Sequence, residues 1–300
     1  YKINKVILLE KRQKKRTDVL DFTISNFKYN SSSGEFIGLF KKLSDGAVIR
    51  NLKMPYVDIS NAKNMVGAIA GSSSGHVLIE SIEVSGNIRA SGYQVAGLVG
   101  SASGFLKISN STVSGNISCG DDLCGGFIGY AMGESIEILN SRVNAMYVES
   151  DVEFVGGFIG MSSVQSCTIE GCYSSPTLNG SRIIGGLIGQ ISGGVTNIKE
   201  TQVDANIINA SNSPGSGSVN EYCGGIVGLN AGVLNVSECE VFHSSDAQYD
   251  QDIIGSANVN KVGGIAGASH VELYIDGSVV KSPVSGKDMV GGMVGLAEGV

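Results

Sequence analysis

The sequence has no tryptophan and only four prolines and three histidines among its 300 residues. So few prolines beside 43 glycines exclude a collagen-like or disordered Pro/Gly-rich tract, in which both residues are abundant. The histidines, His76, His243 and His270, fall at different places in the repeat described below, so neither a metal cluster nor a catalytic triad is expected. The 21 Lys and Arg residues are outnumbered by 28 Asp and Glu, and this net charge of -7 argues against nucleic acid as a partner. No apolar run is long enough for a membrane helix, so we expect no membrane insertion by this segment.

The glycines recur in a six-residue motif, Val155-Gly156-Gly157-Phe158-Ile159-Gly160, which we call the glycine phrase. Its other copies are Val66 to Gly71, Val95 to Gly100, Cys124 to Gly129, Ile184 to Gly189, Cys223 to Gly228, Val262 to Gly267 and Val290 to Gly295, and a degenerate first copy, Phe36 to Lys41, keeps only Gly38. Complete copies end 28 to 31 residues apart, except for two intervals of 39. A repeat of about 29 residues indicates a solenoid, in which each unit buries its apolar face against its neighbours.

Two columns of mostly β-branched residues accompany the phrase and predict strands. The first column is Ile79, Ile108, Ile138, Thr168, Ile198, Val236 and Tyr274, and the second is Val84, Val113, Val143, Tyr173, Val203, Val241 and Val279. No stretch has a helical apolar stripe. We therefore predict an all-β fold, a parallel β-solenoid of about eight to nine rungs with roughly 29 residues and three short strands per rung.

The glycines within the phrase have a predicted geometric role. A residue without a side chain allows a positive φ or the close approach of a neighbouring rung. We therefore expect the structural glycines to align along one axis. They are Gly97, Gly126, Gly157, Gly186, Gly225 and Gly264. The fourth residue of the phrase is always large and apolar: Leu39, Ile69, Leu98, Phe127, Phe158, Leu187, Ile226, Ile265 and Met293. Either a Gly-Gly bulge turns this column inward, or the strand is covered on both faces, or the column is an exposed apolar stripe for a partner.

The repeat spans nearly the whole chain and predicts one continuous domain. Residues 1–34 are expected to be entry strands, with a strand from Tyr1 to Leu9, a basic turn from Lys11 to Arg16 and a strand from Val19 to Tyr29. Residues 35–300 contain the repeats. Because the chain opens in a strand-like run and closes inside a repeat, we expect it to be a fragment of a longer protein.

At these motifs the chain resembles the GLUG-motif repeat family, whose units carry a V-G-G-L-[VI]-G phrase, a glycine-rich turn and an N-S-x-[VA]-x-G-x-[VI] strand. The match includes Val95 to Gly100 followed by Asn110, Ser111, Val113, Gly115 and Ile117. The resemblance covers roughly residues 18 to 300. It implies a secreted or cell-surface protein, often an adhesin-like chain or a non-catalytic stalk, and it supplies no catalytic, cofactor-binding or metal-binding residues.

Two insertions, at about 206–221 and 244–261, account for the two long intervals and lengthen the same corner of adjacent rungs. Loops that protrude side by side are a candidate recognition surface. The residues expected to make contacts there are Asn212, Asn220, Glu221, Asp246, Tyr249, Asp250 and Asp252. The acidic residues of the second insertion could hold calcium, but their spacing matches no known calcium loop, and a solvated loop is the simpler interpretation.

Six cysteines allow fifteen disulfide arrangements, among which we favour the local pairs Cys119–Cys124, Cys167–Cys172 and Cys223–Cys239. Cys124 and Cys223 occupy a column that is elsewhere mostly valine, so small buried hydrophobic residues are the alternative interpretation. Sequons for N-glycosylation occur at Asn30, Asn110, Asn116, Asn179, Asn209 and Asn235, and they would be modified if the source is eukaryotic.

These observations favour a non-catalytic structural or adhesive β-solenoid from an extracellular surface, stalk or filament protein. Its partner would be a protein or glycan surface, or a further copy of the chain in a filament. The alternative is a carbohydrate-binding or polysaccharide-degrading β-helix, which would need converging acidic and basic residues on neighbouring rungs. No such set is visible in the sequence, and no cofactor is expected.

Overall fold

The computed structural model describes residues 22–32, 34–150, 152–204, 206–209, 221–243, 254–255 and 259–298. All regular structure in these ranges is β, as predicted, and none of the described residues is helical. The predicted strand from Tyr1 to Leu9 and the basic turn after it lie outside the described residues.

The described strands are short at each glycine phrase and longer between phrases. In the first half of the chain they are β1 (Phe22–Thr23), β2 (Lys28–Asn30), β3 (Phe40–Leu43), β4 (Ala47–Ala62), β5 (Val66–Gly67), β6 (Ala70–Ala90), β7 (Val95–Ala96), β8 (Val99–Ser109), β9 (Thr112–Cys119), β10 (Cys124–Gly125), β11 (Ile128–Leu139), β12 (Arg142–Ser150), β13 (Phe154–Gly156) and β14 (Ile159–Glu170). In the second half they are β15 (Tyr173–Gly180), β16 (Ile183–Gly185), β17 (Ile188–Ile191), β18 (Val195–Lys199), β19 (Gln202–Asp204), β20 (Asn206–Asn209), β21 (Tyr222–Gly224), β22 (Val227–Asn230), β23 (Val233–Ser237), β24 (Glu240–Phe242), β25 (Lys261–Gly263), β26 (Ala266–Ser269), β27 (Leu273–Asp276), β28 (Val279–Val280), β29 (Met289–Gly291) and β30 (Val294–Ala297).

Each strand pairs in parallel with its counterpart one rung away, which confirms the predicted β-solenoid. For example, Ile79 aligns with Ile108, and Ile108 aligns with Ile138. The chain makes about eight turns, because one strand from each of the eight complete glycine phrases enters a separate eight-stranded sheet. At the N-terminal end, β1 and β2 pair with β4, so the entry segment continues the stack.

Each glycine phrase bends sharply and contributes to two sheets. In one copy, Val95 and Ala96 form β7 of the small sheet, whereas Val99 begins β8 of the large sheet. The backbone folds back on itself so closely that a Cβ on Gly125 would lie within 3.0 Å of the carbonyl oxygen of Ile128 in the same copy. Glycine or alanine at the second position of the phrase therefore permits the bend.

The predicted structural glycines do align along the solenoid axis. A Cβ on Gly157 would lie within 3.0 Å of the carbonyl oxygen of Gly186, one rung further on. The same relationship holds from Gly97 to Gly126 and from Gly225 to Gly264. None of these glycines has a positive φ, so their role is close approach between rungs and not an unusual backbone conformation.

The fourth residue of the phrase faces inward, so an exposed apolar stripe is wrong. Phe127 and Phe158 are fully buried, and their ring centroids lie 4.8 Å apart. The amides of Phe127 and Ile128 both donate to the carbonyl oxygen of Phe158, at 2.8 and 2.9 Å. Two consecutive residues opposite one residue is the pattern of a β-bulge. The phrase is also covered on both sides, since all six of its residues are buried in this copy.

Two members of each predicted β-branched column are displaced by one residue. Ile138 aligns with Ile169 and not with Thr168, and Val236 aligns with Ile275 and not with Tyr274. In the second column the inward residues are Ser174 and Val280, one after the predicted Tyr173 and Val279. The larger tyrosines are thereby left outside, while the hydroxyl of Ser174 donates to the carbonyl oxygen of Gly186 at 2.8 Å.

A column of hydroxyl and thiol side chains satisfies the backbone at the corner between the two longer strands. The residue that begins this corner has a positive φ, as at Asn110 and Asn140. The next side chain points inward, and the Ser141 hydroxyl donates to the carbonyl oxygen of Leu139 at 2.8 Å. Equivalent bonds to the residue two positions earlier are made by Ser111, Cys172, Thr201, Cys239 and Ser278.

The cysteines form one disulfide and contribute two thiols to the corner column. Cys119 and Cys124 form the predicted disulfide, which spans the corner between β9 and β10. The other two predicted bonds are absent, because Cys167, Cys172 and Cys239 are buried thiols. Cys172 and Cys239 belong to the corner column, where each thiol replaces a serine or threonine hydroxyl as both donor and acceptor. This local hydrogen bonding was not apparent from cysteine spacing.

Candidate functional site

Some residues that were predicted to lie in the two insertions belong instead to the rungs of the solenoid. Asn206–Asn209 pairs in parallel with Thr177–Gly180, so the start of the first predicted insertion is a regular rung strand. In the second, Ile254 is buried and bridges to Val284, and Lys261 begins β25. The predicted contact residues Asn212, Asn220, Asp246, Tyr249, Asp250 and Asp252 lie outside the described residues.

Glu221 is part of the solenoid wall and not an exposed loop residue. Its carbonyl oxygen accepts a hydrogen bond from the amide of Lys261 at 3.1 Å, and the residue is only 8% exposed. Burial raises the pKa of its carboxyl group, while the charges of Lys287 and Arg182 act in the opposite direction. This burial places Glu221 in the solenoid wall, and its role as a contact residue stays a prediction.

A polar cluster lies on adjacent rungs, around residues that precede the two insertions in the sequence. The hydroxyl of Tyr173 donates to Oδ2 of Asp204 at 3.3 Å, and Nδ1 of His243 lies 3.8 Å from Oδ1 of the same carboxylate. Arg142 places its guanidinium 5.9 Å from the centroid of the Tyr173 ring. Burial, more than the nearby Asp204 charge, raises the pKa of the Tyr173 hydroxyl.

The cluster joins two adjacent rungs. Asp204 pairs with Phe242, the residue before His243. Asp204 is 8% exposed, so its carboxylate is held in the wall by the groups around it. Sequence analysis missed the cluster, because its members are brought together only by rung-to-rung register.

The sequons differ in exposure. Asn30, Asn110 and Asn116 are exposed, Asn179 and Asn235 are half-buried, and Asn209 belongs to β20. The amide of Asn116 donates to Oδ1 of Asn87 at 2.9 Å, and the amide of Asn179 donates to the hydroxyl of Tyr147 at 3.2 Å. A glycan at Asn179 would have to displace that bond, whereas Asn110 stands at an exposed corner.

The strands β29 and β30 are the last that the structure describes. Among the described strands, β29 pairs with β25 alone and β30 pairs with β26 alone. Val290 is 45% exposed and Met293 is 40% exposed, although Val262 and Ile265, at the same positions one rung earlier, are fully buried. A Cβ on Gly292 would meet nothing within 4 Å, whereas one on Gly264 would strike the carbonyl oxygen of Gly292.

Within the described ranges, no three His, Cys, Asp or Glu side chains are grouped so that they could hold a metal ion. The same ranges contain no helix long and apolar enough to cross a membrane.

Comparison with known proteins returned no match to any family model, to any curated protein or to any solved structure.

Proposed function

We propose that the chain is a non-catalytic structural or adhesive segment of an extracellular surface, stalk or filament protein. The observation that carries the proposal is the parallel register of the rungs, which is maintained from β4 through β30. With rungs about 4.8 Å apart, eight turns extend roughly 40 Å. Such a stack acts as a spacer, because bending it strains backbone hydrogen bonds along its whole length.

The internal arrangement supports a mechanical role. Fully buried aliphatic columns and the glycine column allow each rung to pack tightly on the next, as between Gly126 and Gly157. The inward corner hydroxyls and thiols satisfy backbone groups at the turns, as Ser141 does for Ser111. A repeat array of this type gains its stability from contacts between neighbouring rungs.

Three features are compatible with an extracellular location. The Cys119–Cys124 disulfide is of a kind that persists in oxidising compartments. The exposed sequons at Asn30, Asn110 and Asn116 could carry glycans. The resemblance to GLUG-motif repeats implies the same location.

The insertions are the proposed contact surface. Asp204 and His243, which precede them in the sequence, lie on adjacent rungs. Recognition by paired loops on a stiff support is a common arrangement, since the support fixes the loops while their sequences vary. The partner is a protein or glycan surface.

Binding to a glycan array and to immobilised extracellular-matrix proteins tests the proposal. We expect the 300-residue chain to bind a subset of these probes, and a variant lacking residues 210–220 and 244–253 to lose that binding. The matched control deletes one whole rung, residues 66–94, which shortens the rod but leaves the disulfide and both insertions and should retain binding. Release of soluble products from a polysaccharide panel by the purified chain, or binding unaffected by removal of the insertions, would overturn the proposal.

A further inference from the structure

A shallow recess lies on the side of the solenoid between two irregular strands. Strand β4 has one more residue than β6 between Met54 and Val57. Strand β12 has one more residue than β9 between Asn144 and Tyr147. The two strands between them, β6 and β9, pair here without any shift. An extra residue bends a strand away from its partner, so two bulged strands flank two regular ones. We call the surface over these regular strands the two-rung recess.

The floor of the two-rung recess is bare backbone. Gly86 and Gly115 are aligned at its centre and have φ values of 145° and 108°, which side chains rarely adopt. A Cβ on Gly115 would also lie within 3.0 Å of the carbonyl oxygen of Gly86. Both the φ and the close approach exclude a side chain at this position. The floor can therefore approach a ligand closely.

Planar amides stand beside this floor. Asn87 and Asn116 follow the two glycines, and both are exposed. The amide of Asn116 donates to Oδ1 of Asn87 at 2.9 Å, which fixes the two side chains relative to each other. An asparagine has two N–H donors and an oxygen that accepts two bonds, so each side chain keeps hydrogen-bonding capacity beyond this contact. The recess thus offers donors and acceptors in a fixed arrangement.

Tyr56 stands in the bulge at one end of the recess. Its side chain is 72% exposed, and its φ is 62°, a value that is unfavourable for a bulky residue. The bulge is not at an end of the stack, because the amide of Asn26 donates to the carbonyl oxygen of Pro55 at 3.2 Å. Strained backbone of this kind is often found at binding sites. Packing does not explain a tyrosine here, since most of its side chain contacts solvent.

The charges around the recess offset each other. Asp58 lies in the same column as Asn87, and its Oδ2 is 3.8 Å from Nζ of Lys28. The side chains beside the two glycines are Ser85, Asn87, Ser114 and Asn116, and all four are uncharged. A ligand with a strong charge of either sign would find no counter-charge within the recess. The surface is therefore suited to a neutral polar ligand.

We propose that the two-rung recess binds a neutral oligosaccharide. A sugar ring has an apolar face of C–H groups that can stack on an exposed tyrosine, and hydroxyl groups that pair with amides. The two bulges are three rung intervals apart, roughly 14 Å, so the recess accommodates about three sugar units. A peptide added as a strand would need an unpaired edge, whereas β6 lies between β4 and β9, and β9 lies between β6 and β12. This site is separate from the insertions and goes beyond the proposed function.

The same chemistry could come from the chain itself, because Asn116 begins the sequon Asn116-Ile117-Ser118. The first test therefore uses protein secreted into the bacterial periplasm, where the Cys119–Cys124 disulfide can form and asparagine carries no glycan. The probes are neutral trisaccharides built from glucose, galactose, mannose or N-acetylglucosamine, with trigalacturonate as the charged counterpart. Saturation-transfer NMR measures binding. We expect at least one neutral probe to bind with a Kd of about 1 mM, and trigalacturonate not to bind.

Tyr56→Asn separates binding from folding. Asparagine tolerates a positive φ better than tyrosine does, so the variant should melt at the same or a higher temperature but bind the trisaccharide at least tenfold more weakly. The control is Tyr274→Asn, because Tyr274 is also exposed and aligned with an amide pair, Asn197 and Asn235, on strands without a bulge. This control should bind like wild type.

Three results would overturn the recess as a sugar site. They are the absence of binding by every neutral probe at about 10 mM, equal binding by wild type and Tyr56→Asn, and equal loss of binding in Tyr56→Asn and Tyr274→Asn. A lower melting temperature of Tyr56→Asn with unchanged binding would show that Tyr56 has only a structural role.

Protein from eukaryotic cells identifies the source of the sugar. A chain that carries a glycan on Asn116 by mass spectrometry should no longer bind the trisaccharide, whereas Ser118→Ala from the same cells should bind it. Undiminished binding by the glycosylated chain would contradict a site beside Asn116. If Asn116 is unmodified in these cells and the chain binds the probe, the ligand is a separate molecule.

The variant without residues 210–220 and 244–253 distinguishes this inference from the proposed function. It should bind the trisaccharide like wild type, because the recess lies on β4, β6, β9 and β12. Loss of trisaccharide binding in this variant would refute the recess and leave the proposed function standing. Binding of millimolar strength is lost when an array is washed, so the array experiment reports on the insertions alone.

Discussion

The hydroxyl of Ser141 accepts a hydrogen bond from the amide of Ser111, one rung earlier, at 3.1 Å. Ser111 in turn accepts from the amide of Ile82 at 3.2 Å. Cys172 accepts from the amide of Ser141, and Thr201 accepts from the amide of Cys172. One side chain per corner thus connects successive rungs through groups that would otherwise be buried without a partner.

Replacing Ser141 by alanine should destabilise the solenoid by about 1–3 kcal/mol, because the buried amide of Ser111 would lose its acceptor. Replacing it by cysteine should cost much less, since Cys172 performs the same role on the next rung. Denaturant unfolding monitored by circular dichroism measures both changes. Ser166→Ala is the control, because Ser166 is exposed on the outer side of a strand. Equal losses for Ser141→Ala and Ser166→Ala would show that the corner bond adds nothing.

The glycine and corner positions show what the sequence can predict. Gly126, Gly157 and Gly186 recur in register, and only a steric constraint between rungs requires bare backbone at matched positions, so their alignment could be inferred. The recurring Asn-Ser pair was visible at Asn110 and Asn140, but its cause was not. When a serine accepts a hydrogen bond from an amide in another rung, the sequence shows only that the serine recurs and does not show which group it binds.

Gly186→Val should destabilise the chain by roughly 3 kcal/mol or prevent folding, because the new side chain would overlap the carbonyl oxygen of Gly225. Alanine should be tolerated better, since Ala68 occupies the same column in the second rung. Soluble yield and melting temperature measure the effect. The comparison is Gly193→Val, which adds the same atoms into open space and should leave both unchanged. A normally stable Gly186→Val protein would contradict the close packing of the glycine column.

The disulfide should contribute about 2 kcal/mol, the value expected from closing a loop with a sequence separation of 5. The double variant Cys119→Ala and Cys124→Val removes the bond but keeps the packing, because Ala90 and Val95 fill these columns one rung earlier. We expect the variant to unfold at lower denaturant concentration than the oxidised wild type. Adding dithiothreitol should weaken the wild type and leave the variant unchanged. A wild-type curve insensitive to the reductant would mean that the bond does not stabilise the fold.

The polar cluster of Tyr173, Asp204 and His243 could not be predicted either. Here the obstacle was the register of the strands. Tyr173 was assigned to the buried column from the sequence pattern, but the inward residue stands 14 residues after the glycine phrase here, as at Val143, and not 13, as at Val113. The true inward residue is Ser174, and the outward Tyr173 reaches Asp204. His243 approaches the same carboxylate across an interval lengthened by an insertion. A shift of one residue reverses the side of a strand, so contacts of this kind require the register itself.

Cys172 should make the stability of the protein sensitive to alkaline pH. Burial raises the pKa of this thiol from 9.0 to about 11 in the folded protein. The folded state therefore retains the proton where the unfolded state has lost it, so the contribution is fully present below pH 9 and is lost as the pH rises toward 11. The total is on the order of 3 kcal/mol. Cys172→Ser keeps a hydrogen-bonding group at the corner but lacks the ionisation.

Urea unfolding at pH 8 and pH 10 measures this contribution as a difference between the two proteins. The other thiols and tyrosines are common to both, so their titration cancels in the comparison. We expect wild type to lose more stability than Cys172→Ser over this interval, and iodoacetamide at pH 8 to label Cys172 only after unfolding, because about one thiol in a thousand is ionised there. Equal losses for the two proteins, with rapid labelling of the native thiol, would show that Cys172 is not held as a neutral donor in the corner column.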